Sequence, residues 1–127
     1  MLKDTFIAGF FCGEGYFYQQ DTNKEKGYKG FCVGISMHKR DLSILEEIKN
    51  SLNCGVVSKK TSNGNTDIYI QYRISSVDEI KRIFAPRIGR YLLGYKKEQF
   101  IFFMRSLIEY EKKKASQRYL ISIGLQP

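Results

Sequence analysis

A single carboxylate, Glu14, stands between two glycines at the end of a short segment, residues 4–13, with the sequence DTFIAGFFCG. Apolar and small residues dominate the segment, Asp4 or Thr5 can cap its start, and Gly15 can help to end it, so it predicts a short helix. Because the C-terminus of a helix is partly negative, a carboxylate there is electrostatically disfavoured. A divalent cation would offset that cost, since Mg²⁺ prefers oxygen ligands. Glu14 is therefore a candidate for metal chemistry.

Small residues recur in this segment at the spacing of one helical turn. Ala8 and Cys12 are four residues apart, as are Gly9 and Gly13, which favours a shared helical face. Without bulky side chains, two helix backbones can approach closely. The pattern therefore predicts a helix that packs against another helix. The alternative is an ordinary core helix that ends at a glycine, with Glu14 as a surface residue.

The composition is strongly basic. Of 127 residues, 21 are Lys or Arg and 13 are Asp or Glu, giving a net charge of +8, and 43% are apolar. The chain can bury a core, and we expect one domain over residues 1–127. The charge suits a phosphate backbone or an anionic membrane, although many basic domains bind neither. No apolar run approaches the roughly 20 residues that span a bilayer, and no signal peptide is evident. We therefore expect an intracellular protein without a membrane role.

The cysteines and the histidine do not suggest a soft-metal site. Cys12, Cys32 and Cys54 are odd in number and far apart, no CxxC occurs, and His38 is the one histidine. A zinc site and a disulfide framework are therefore not expected. Reduced cysteines are the default inside a cell. We also expect no small-molecule cofactor.

Four segments have strand character and form two hairpins. The first pair is residues 16–22 and 28–36, rich in Tyr, Phe and Val, with the polar stretch NKEKG between them. The second pair is residues 56–60 and 66–74, and the joint between them contains Asn63–Gly64, a strong turn signal. Because side chains alternate between the faces of a strand, the 28–36 segment has one bulky apolar face and one small, polar face.

Three further helical segments complete the order of elements. Residues 41–52 carry Leu and Ile at helical spacing, Ser76 with Glu79 makes a capping box for a short helix that ends before Pro86, and a last helix spans about residues 96–113. The order α-β-β-α-β-β-α-α predicts an α+β fold with one four-stranded antiparallel sheet. Helices would cover one face of the sheet. The open face, edged with Lys, Arg, Tyr and Gln, is suited to a DNA major groove.

The nine residues Ile7–Gly15, IAGFFCGEG, resemble the LAGLIDADG motif. Three positions are identical to that name and five are conservative variants, whereas Cys12 stands where the first acid of the motif usually lies. In the family the first acid is mainly structural and the second binds metal. Glu14 matches the second acid, so the resemblance retains metal binding but puts local helix capping in doubt. It also implies the saddle-shaped sheet of the homing-endonuclease fold, α-β-β-α-β-β-α, over roughly residues 4–110.

The resemblance assigns roles outside the motif as well. The family often carries a lysine after a leucine-rich turn near the third helix, and in LLGYKK the better match is Lys96, with Lys97 second. Without that context both lysines would be a solvated helix start. A second departure is Met37, where related enzymes commonly place a Gln that orders water near the metals. The adjacent His38 either substitutes for it or is an exposed turn histidine, and we favour the turn histidine.

This chain carries one motif whereas a monomeric family member carries two, so the resemblance implies a homodimer that meets through the residue 5–13 helix. The implied dimer interface consists of small residues: Ala8, Gly9, Cys12 and Gly13. Glu14 of each subunit would then lie at the base of the saddle, where two close carboxylates repel unless cations lie between them. Mg²⁺ or Mn²⁺ is the implied cofactor, with the Gly13 carbonyl as a further ligand. Lys96 would stabilise charge at the scissile phosphate during hydrolysis of one phosphodiester per strand.

Specificity would come from the outward strand positions of a protein that binds double-stranded DNA. Their alternation predicts the following DNA-binding residues: Tyr18, Gln20, Thr22, Tyr28, Ser36, Lys59, Lys60, Asp67, Tyr69, Gln71 and Arg73. Ser58 is the alternative to Lys59, because a one-residue slip moves every side chain to the other face. The same residues also suit an ordinary sheet surface. A two-fold dimer predicts a palindromic or pseudo-palindromic site.

Two other functions fit the same residues. One is a LAGLIDADG fold that binds DNA or intron RNA without cutting, as maturases and some regulators of this kind do, and Cys12 and Met37 favour it. The other is an unrelated basic α+β interaction protein in which the nine-residue match is accidental. Glu14 and Lys96 favour the active enzyme, encoded by a mobile intron-borne reading frame.

Overall fold

The computed structural model describes residues 1–59 and 68–125. The chain runs through the following elements: α1 (Asp4–Glu14), β1 (Gly15–Asn23), β2 (Tyr28–His38), a 3₁₀ turn (Lys39–Asp41), α2 (Leu42–Leu52), β3 (Val56–Lys59), β4 (Tyr69–Ile74), α3 (Val77–Glu79), a π-helical turn (Ile80–Phe84), α4 (Ala85–Arg87), a second 3₁₀ turn (Gly89–Tyr91) and α5 (Gly94–Ser122). Among the helices of these residues, none has the length and apolar character needed to cross a membrane.

The four strands form one antiparallel sheet in the order β1-β2-β4-β3. Helices cover one face of the sheet, and the predicted α+β architecture is confirmed. On the covered face Val33 and Ile35 of β2 and Tyr72 of β4 are buried. Side chains of the opposite parity, such as Gln71 and Arg73, lie on the open face.

The core joins α1, α2 and α5 to the covered face. Ile7 and Phe11 of α1 are buried against it, as are Leu45, Ile48 and Leu52 of α2, whereas Leu42 at the start of α2 is exposed. Phe17, Phe84 and Phe100 pack together with centroid separations of 5.0–6.3 Å. The aromatic cluster packs the N-terminal part of α5 against β1. The first residues of α5 and of β1 therefore lie close together, next to the end of α1.

Most predicted elements are confirmed, with three corrections at helix ends. Lys3 is the N-cap of α1, so Asp4 is not a cap; it lies in the first turn and pairs with Arg87. Ser76 does accept from the Glu79 N–H at 3.3 Å, but the helical segment continues past Pro86. Pro86 lies in the first turn of α4, where its missing N–H costs little.

The third correction concerns α5, which begins at Gly94 and ends at Ser122 rather than spanning 96–113. Gly94 has a φ of +64°, a conformation that favours glycine. The turn predicted at Asn63–Gly64 and the start of the predicted 66–74 strand fall outside the described residues.

Candidate active site

The junction between α1 and β1 exposes Glu14. The Gly15 N–H donates to the Phe11 carbonyl, and the strand starts at Gly15 itself. A Cβ on Gly15 would collide with the Phe11 ring and lie 2.8 Å from its carbonyl oxygen, so only glycine permits this direct transition from helix to strand. Glu14 is the last residue of α1 and is exposed. Its carboxylate forms no salt bridge or hydrogen bond within residues 1–59 and 68–125.

Lys96 contacts the same junction from α5. Its Nζ donates a hydrogen bond of 2.6 Å to the Gly15 carbonyl oxygen. The side chain is half-buried, whereas Lys97 is exposed. Lys96 is thus bonded to the backbone of the residue that follows Glu14, so both residues belong to the α1–β1 junction. The structure also favours Lys96 over Lys97 as the lysine that belongs to the site.

The oxygen ligands at this junction fit a hard divalent cation, but one chain supplies few of them. Gly13 lies in the last turn of α1, where carbonyl groups lack helical N–H partners, and Glu14 adds an exposed carboxylate. No group of three or more His, Cys, Asp or Glu side chains in the described part of the chain could hold a metal ion.

The small residues of α1 divide between two faces. Ala8 is buried in the core of its own chain. Cys12 is held by Leu93, whose N–H donates to Sγ at 3.4 Å and whose carbonyl oxygen lies 3.8 Å from it. Gly9 and Gly13 are exposed, and a Cβ at either would meet no atom within 4 Å. The prediction that all four face a partner is therefore wrong for the buried Ala8, whereas Cys12 is half-buried beside Leu93 of its own chain; the i, i+4 pattern does not say which pair the core takes.

An apolar surface surrounds the two exposed glycines. Phe6 is 49% exposed and stacks on the half-buried Phe10 at a centroid separation of 6.2 Å. Leu93, beside Cys12, is 73% exposed. We call Phe6, Gly9, Phe10 and Gly13 the glycine stripe of α1. It is a flat, apolar face of a kind that helix-to-helix contact would bury.

The open face has large side chains on β1 and β4 and small ones on β2. The β2 positions of this parity are small or polar: Gly30, Cys32, Gly34 and Ser36. The Tyr16 ring covers Gly34, since a Cβ there would lie 2.5 Å from the ring. Tyr16 Oη donates to Gln71 Oε1 at 3.4 Å, so one side chain of β1 spans β2 and reaches β4.

Tyr16 was missed as a site residue although the signal for it was available. It has the same parity as Tyr18 and Gln20, which were predicted to face outward. Burial raises the pKa of the Tyr16 hydroxyl, Cys32 raises it further, and Arg73 opposes the shift. Burial likewise raises the pKa of the Cys32 thiol. Both groups therefore remain protonated at neutral pH and can donate hydrogen bonds.

Most of the predicted DNA-binding positions share the open face. The strand register and neighbouring contacts place these there: Tyr18, Gln20, Thr22, Ser36, Tyr69, Gln71 and Arg73. Tyr18 Oη donates to Gln20 Oε1 at 3.1 Å. Lys60 and Asp67 lie outside the described residues.

Two positions are corrected. Tyr28 contacts α5, with Lys114 Nζ 3.6 Å from its ring centroid, at the end of the hairpin where the register shifts between Asp21 and Asn23. Lys59 pairs with the buried Ile70 and so has the parity of the covered face. Ser58, the alternative, pairs with Gln71 on the open face.

Neither Met37 nor His38 lines the junction. Met37 pairs with Ile70 and packs against the core, so it takes no position on the open face. His38 Nδ1 accepts from the Arg40 N–H at 3.1 Å and caps the 3₁₀ turn. His38 therefore caps a turn, as favoured above, but it is half-buried rather than exposed and is the last residue of β2.

A model of the family described as LAGLIDADG endonuclease matches residues 7–107. The chain belongs to the LAGLIDADG endonuclease family. Solved members share the fold: the I-SmaMI homing endonuclease bound to cleaved DNA has a TM-score of 0.77 and 23% identity over 90% of this chain. The I-LtrWI homing endonuclease bound to target DNA has a TM-score of 0.76 and 26% identity over 88% of this chain. A structure of I-SmaMI with uncleaved DNA and calcium ions has a TM-score of 0.76 and 25% identity.

The match covers only part of these relatives. This LAGLIDADG chain spans 38% of the I-LtrWI chain and 39% of the calcium-containing I-SmaMI chain. Each of those chains is therefore long enough for two units of this size. The present chain, with its one α1–β1 junction, matches about two fifths of each larger protein.

Proposed function

We propose that this chain is the subunit of a homodimeric, metal-dependent homing endonuclease that cuts both strands of a long pseudo-palindromic DNA site. One observation carries the proposal: Glu14 is exposed at the α1–β1 junction and Lys96 is fixed to the same junction by a 2.6 Å hydrogen bond. An open sheet face with exposed polar and basic side chains adjoins it. The combination of an acidic centre and an open, polar sheet face suits site-specific cleavage.

Three features of the single chain support a homodimer. It offers one carboxylate at the junction, covers 38–39% of the length of its DNA-bound relatives, and leaves the glycine stripe of α1 exposed in the described part of the chain. A two-fold axis through the glycine stripe would bring the two copies of Glu14 together. Two strands of DNA would then meet equivalent groups from the two subunits.

The Glu14 carboxylates and Gly13 carbonyls of two subunits would hold Mg²⁺ or Mn²⁺, because both groups offer hard oxygen ligands. Such a cation, when bound, supplies Lewis-acid stabilisation of the charge that develops on a phosphodiester. The chain's own contribution is to hold Glu14 at the α1–β1 junction, where Gly15 packs directly against Phe11. Lys96 would place a positive charge beside the scissile phosphate.

DNA binding would use the open face. Arg73 is exposed there, and Gln20 and Gln71 present amide groups suited to base edges. The net charge of +8 would attract the phosphate backbone and make affinity fall with salt. A dimer would read two half-sites in opposite orientation, which gives the pseudo-palindrome.

The test is a binding and cleavage assay on the duplex that spans the gene's own insertion site. The wild type should bind as a dimer and cut both strands with Mg²⁺ or Mn²⁺ but not with EDTA. Glu14→Gln keeps the shape of the side chain and removes its charge, so it should bind within about threefold of wild type and lose cleavage. Equal cleavage by the two proteins would refute the assignment of Glu14.

A second function, binding of DNA or intron RNA without cleavage, is favoured by one observation. The position of the motif's first acid is occupied by Cys12, whose thiol is committed to the Leu93 backbone. The same assay separates the two functions. Tight binding with intact product in both Mg²⁺ and Mn²⁺ selects the non-cutting protein, and comparison with a refolded intron transcript identifies its nucleic acid.

A further inference from the structure

The Tyr16 side chain lies across the centre of the open face. Its ring rests on Gly34, where a Cβ would come within 2.5 Å of both Cζ and Oη. Beyond Gly34, the hydroxyl reaches Gln71 Oε1 on β4 at 3.4 Å. Tyr16 and Gln71 are both half-buried, so the pair is held by packing on one side and open on the other.

The contact gives the Gln71 amide a direction. The Tyr16 hydroxyl donates to Oε1, which turns the amide oxygen along the sheet toward β1. The NH₂ group of Gln71 is then the end left for a ligand on the open face. Arg73, two residues along the same face of β4, also offers only N–H donors. This part of the face is therefore rich in donors.

The direction of the amide decides which base it can read. A free glutamine recognises adenine by accepting from N6 and donating to N7, whereas guanine presents two acceptors, N7 and O6. With one lone pair of Oε1 taken by Tyr16 and the oxygen turned toward β1, the NH₂ group faces the ligand and donation is the contact that this orientation favours. We propose that Tyr16 is a positioning residue that makes Gln71 select guanine over adenine at one position of each half-site.

This inference rests on the proposed DNA-binding function. The experiment is competitive binding in EDTA to a duplex library randomised in the half-site, so that no cleavage interferes. The wild type should show one position where guanine is preferred over adenine by roughly tenfold or more. Tyr16→Phe keeps the ring over Gly34 but removes the donor, and the preference there should fall to about threefold or less.

The chain offers a matched control in Tyr18, whose hydroxyl donates to Gln20 Oε1 at 3.1 Å. That pair is exposed and lies on one strand, so water can replace the hydroxyl. Tyr18→Phe should leave the guanine preference at the Gln71 position unchanged. Gln71→Met should abolish the preference, and adding Tyr16→Phe to Gln71→Met should change the profile no further.

The possible results distinguish failure of the Tyr16 proposal from failure of the proposed DNA-binding function. A wild type that binds no duplex refutes both. Specific binding with the same base profile in wild type and Tyr16→Phe refutes only the role of Tyr16. Independent, additive effects of Tyr16→Phe and Gln71→Met would show that Tyr16 contacts DNA directly and would also overturn it. If Tyr16→Phe does not fold, a Gln71→Met protein that keeps the guanine preference refutes the inference by itself.

Discussion

Lys96 is bonded to the residue that follows Glu14 in the chain: its Nζ donates to the Gly15 carbonyl oxygen at 2.6 Å. An ammonium group has three donors, so two remain for another partner. The lysine is thus held in place before any ligand arrives, and no side-chain reorganisation is needed to use it. Sequence adjacency alone would not relate the two residues, because α5 begins 80 positions after α1 ends.

Lys96→Met should lower the cleavage rate by about 10²–10³-fold, the usual cost of removing one electrostatic donor from a reacting centre. Binding should change little, because one phosphate contact among many is lost. The measurement is single-turnover cleavage beside an affinity assay. Lys97→Met, an exposed neighbour on the same helical turn, is the control and should keep near-wild-type cleavage. Equal losses in the two variants would contradict a specific role for Lys96.

Substitutions at Gly9 should raise the stability of the monomer but weaken its association into a dimer. Within one chain a side chain at Gly9 meets nothing, so Gly9→Ala should stabilise the isolated helix by about 0.5–1 kcal/mol. If the glycine stripe is the dimer contact, Gly9→Leu should prevent association. Sedimentation equilibrium gives the association constant and thermal unfolding gives the stability.

Gly15→Ala is the contrasting variant, since its Cβ would collide with Phe11 and should destabilise the fold itself. A Gly9→Leu protein that dimerises as tightly as wild type would place the interface elsewhere.

Tyr72 should make stability fall at alkaline pH. Its hydroxyl is buried and donates to the Cys54 carbonyl at 2.8 Å, and burial raises the pKa of Tyr72 well above its ordinary value of 10.0. Above pH 10 the unfolded chain loses this proton and the folded chain keeps it, so the folded state loses up to about 1.4 kcal/mol per pH unit. Below pH 10 the group gives no pH dependence.

Tyr72→Phe isolates this effect from the other alkaline titrations. It should cost about 1–3 kcal/mol at pH 7, because the Cys54 carbonyl loses its donor, and the deficit should shrink as pH rises from 10 to 11. Denaturant unfolding of both proteins across that range is the measurement. Parallel stability curves above pH 10 would show that Tyr72 ionises as readily in the folded state.

The Asp4–Arg87 ion pair should contribute more to the free energy of unfolding than an exposed Asp–Arg pair. Arg87 donates to both carboxylate oxygens, at 2.9 and 3.3 Å, and also to the Ser51 carbonyl at 3.2 Å, which joins α1, α2 and α4. Asp4→Asn should cost about 1–2 kcal/mol.

Asp78→Asn is the matched control for this pair. Asp78 and Arg82 form an i, i+4 pair that is 73% and 64% exposed, so its loss should cost under about 0.5 kcal/mol. The free energy of unfolding in urea distinguishes the two variants. An equal loss of unfolding free energy in the two variants would mean that joining the three helices through Arg87 adds no stability.

The sequence predicted the fold where periodicity is strong. The alternation in the middle of the strands reports which side is buried, and so do Leu45, Ile48 and Leu52 of the 41–52 segment; both predictions were confirmed there. The candidate acidic junction could also be predicted, because only a glycine–carboxylate–glycine run after a small-residue helix offers it. Its partner Lys96 needed knowledge of the family, since no local pattern links α5 to α1.

The errors arose where a distant contact decides orientation. Ala8–Cys12 and Gly9–Gly13 have the same spacing, and only the packing of Ile7 and Phe11 shows which pair turns inward. Tyr28 pairs with Asn23 just past the register irregularity, and its ring packs against Lys114 of α5. Lys59 was predicted on the wrong face, because its pairing with the buried Ile70 sets the register of β3. None of these contacts is local in sequence.

The ring of Tyr16 fills the volume that a side chain at Gly34 would need, so the two positions form one steric unit. Members of the family that carry a β-carbon at the position of Gly34 should carry a smaller residue at the position of Tyr16, and covariation between these columns would reveal the exchange. Retargeting by directed mutagenesis should therefore change both positions at once, because replacement of Gly34 alone displaces the tyrosine before it adds any new recognition.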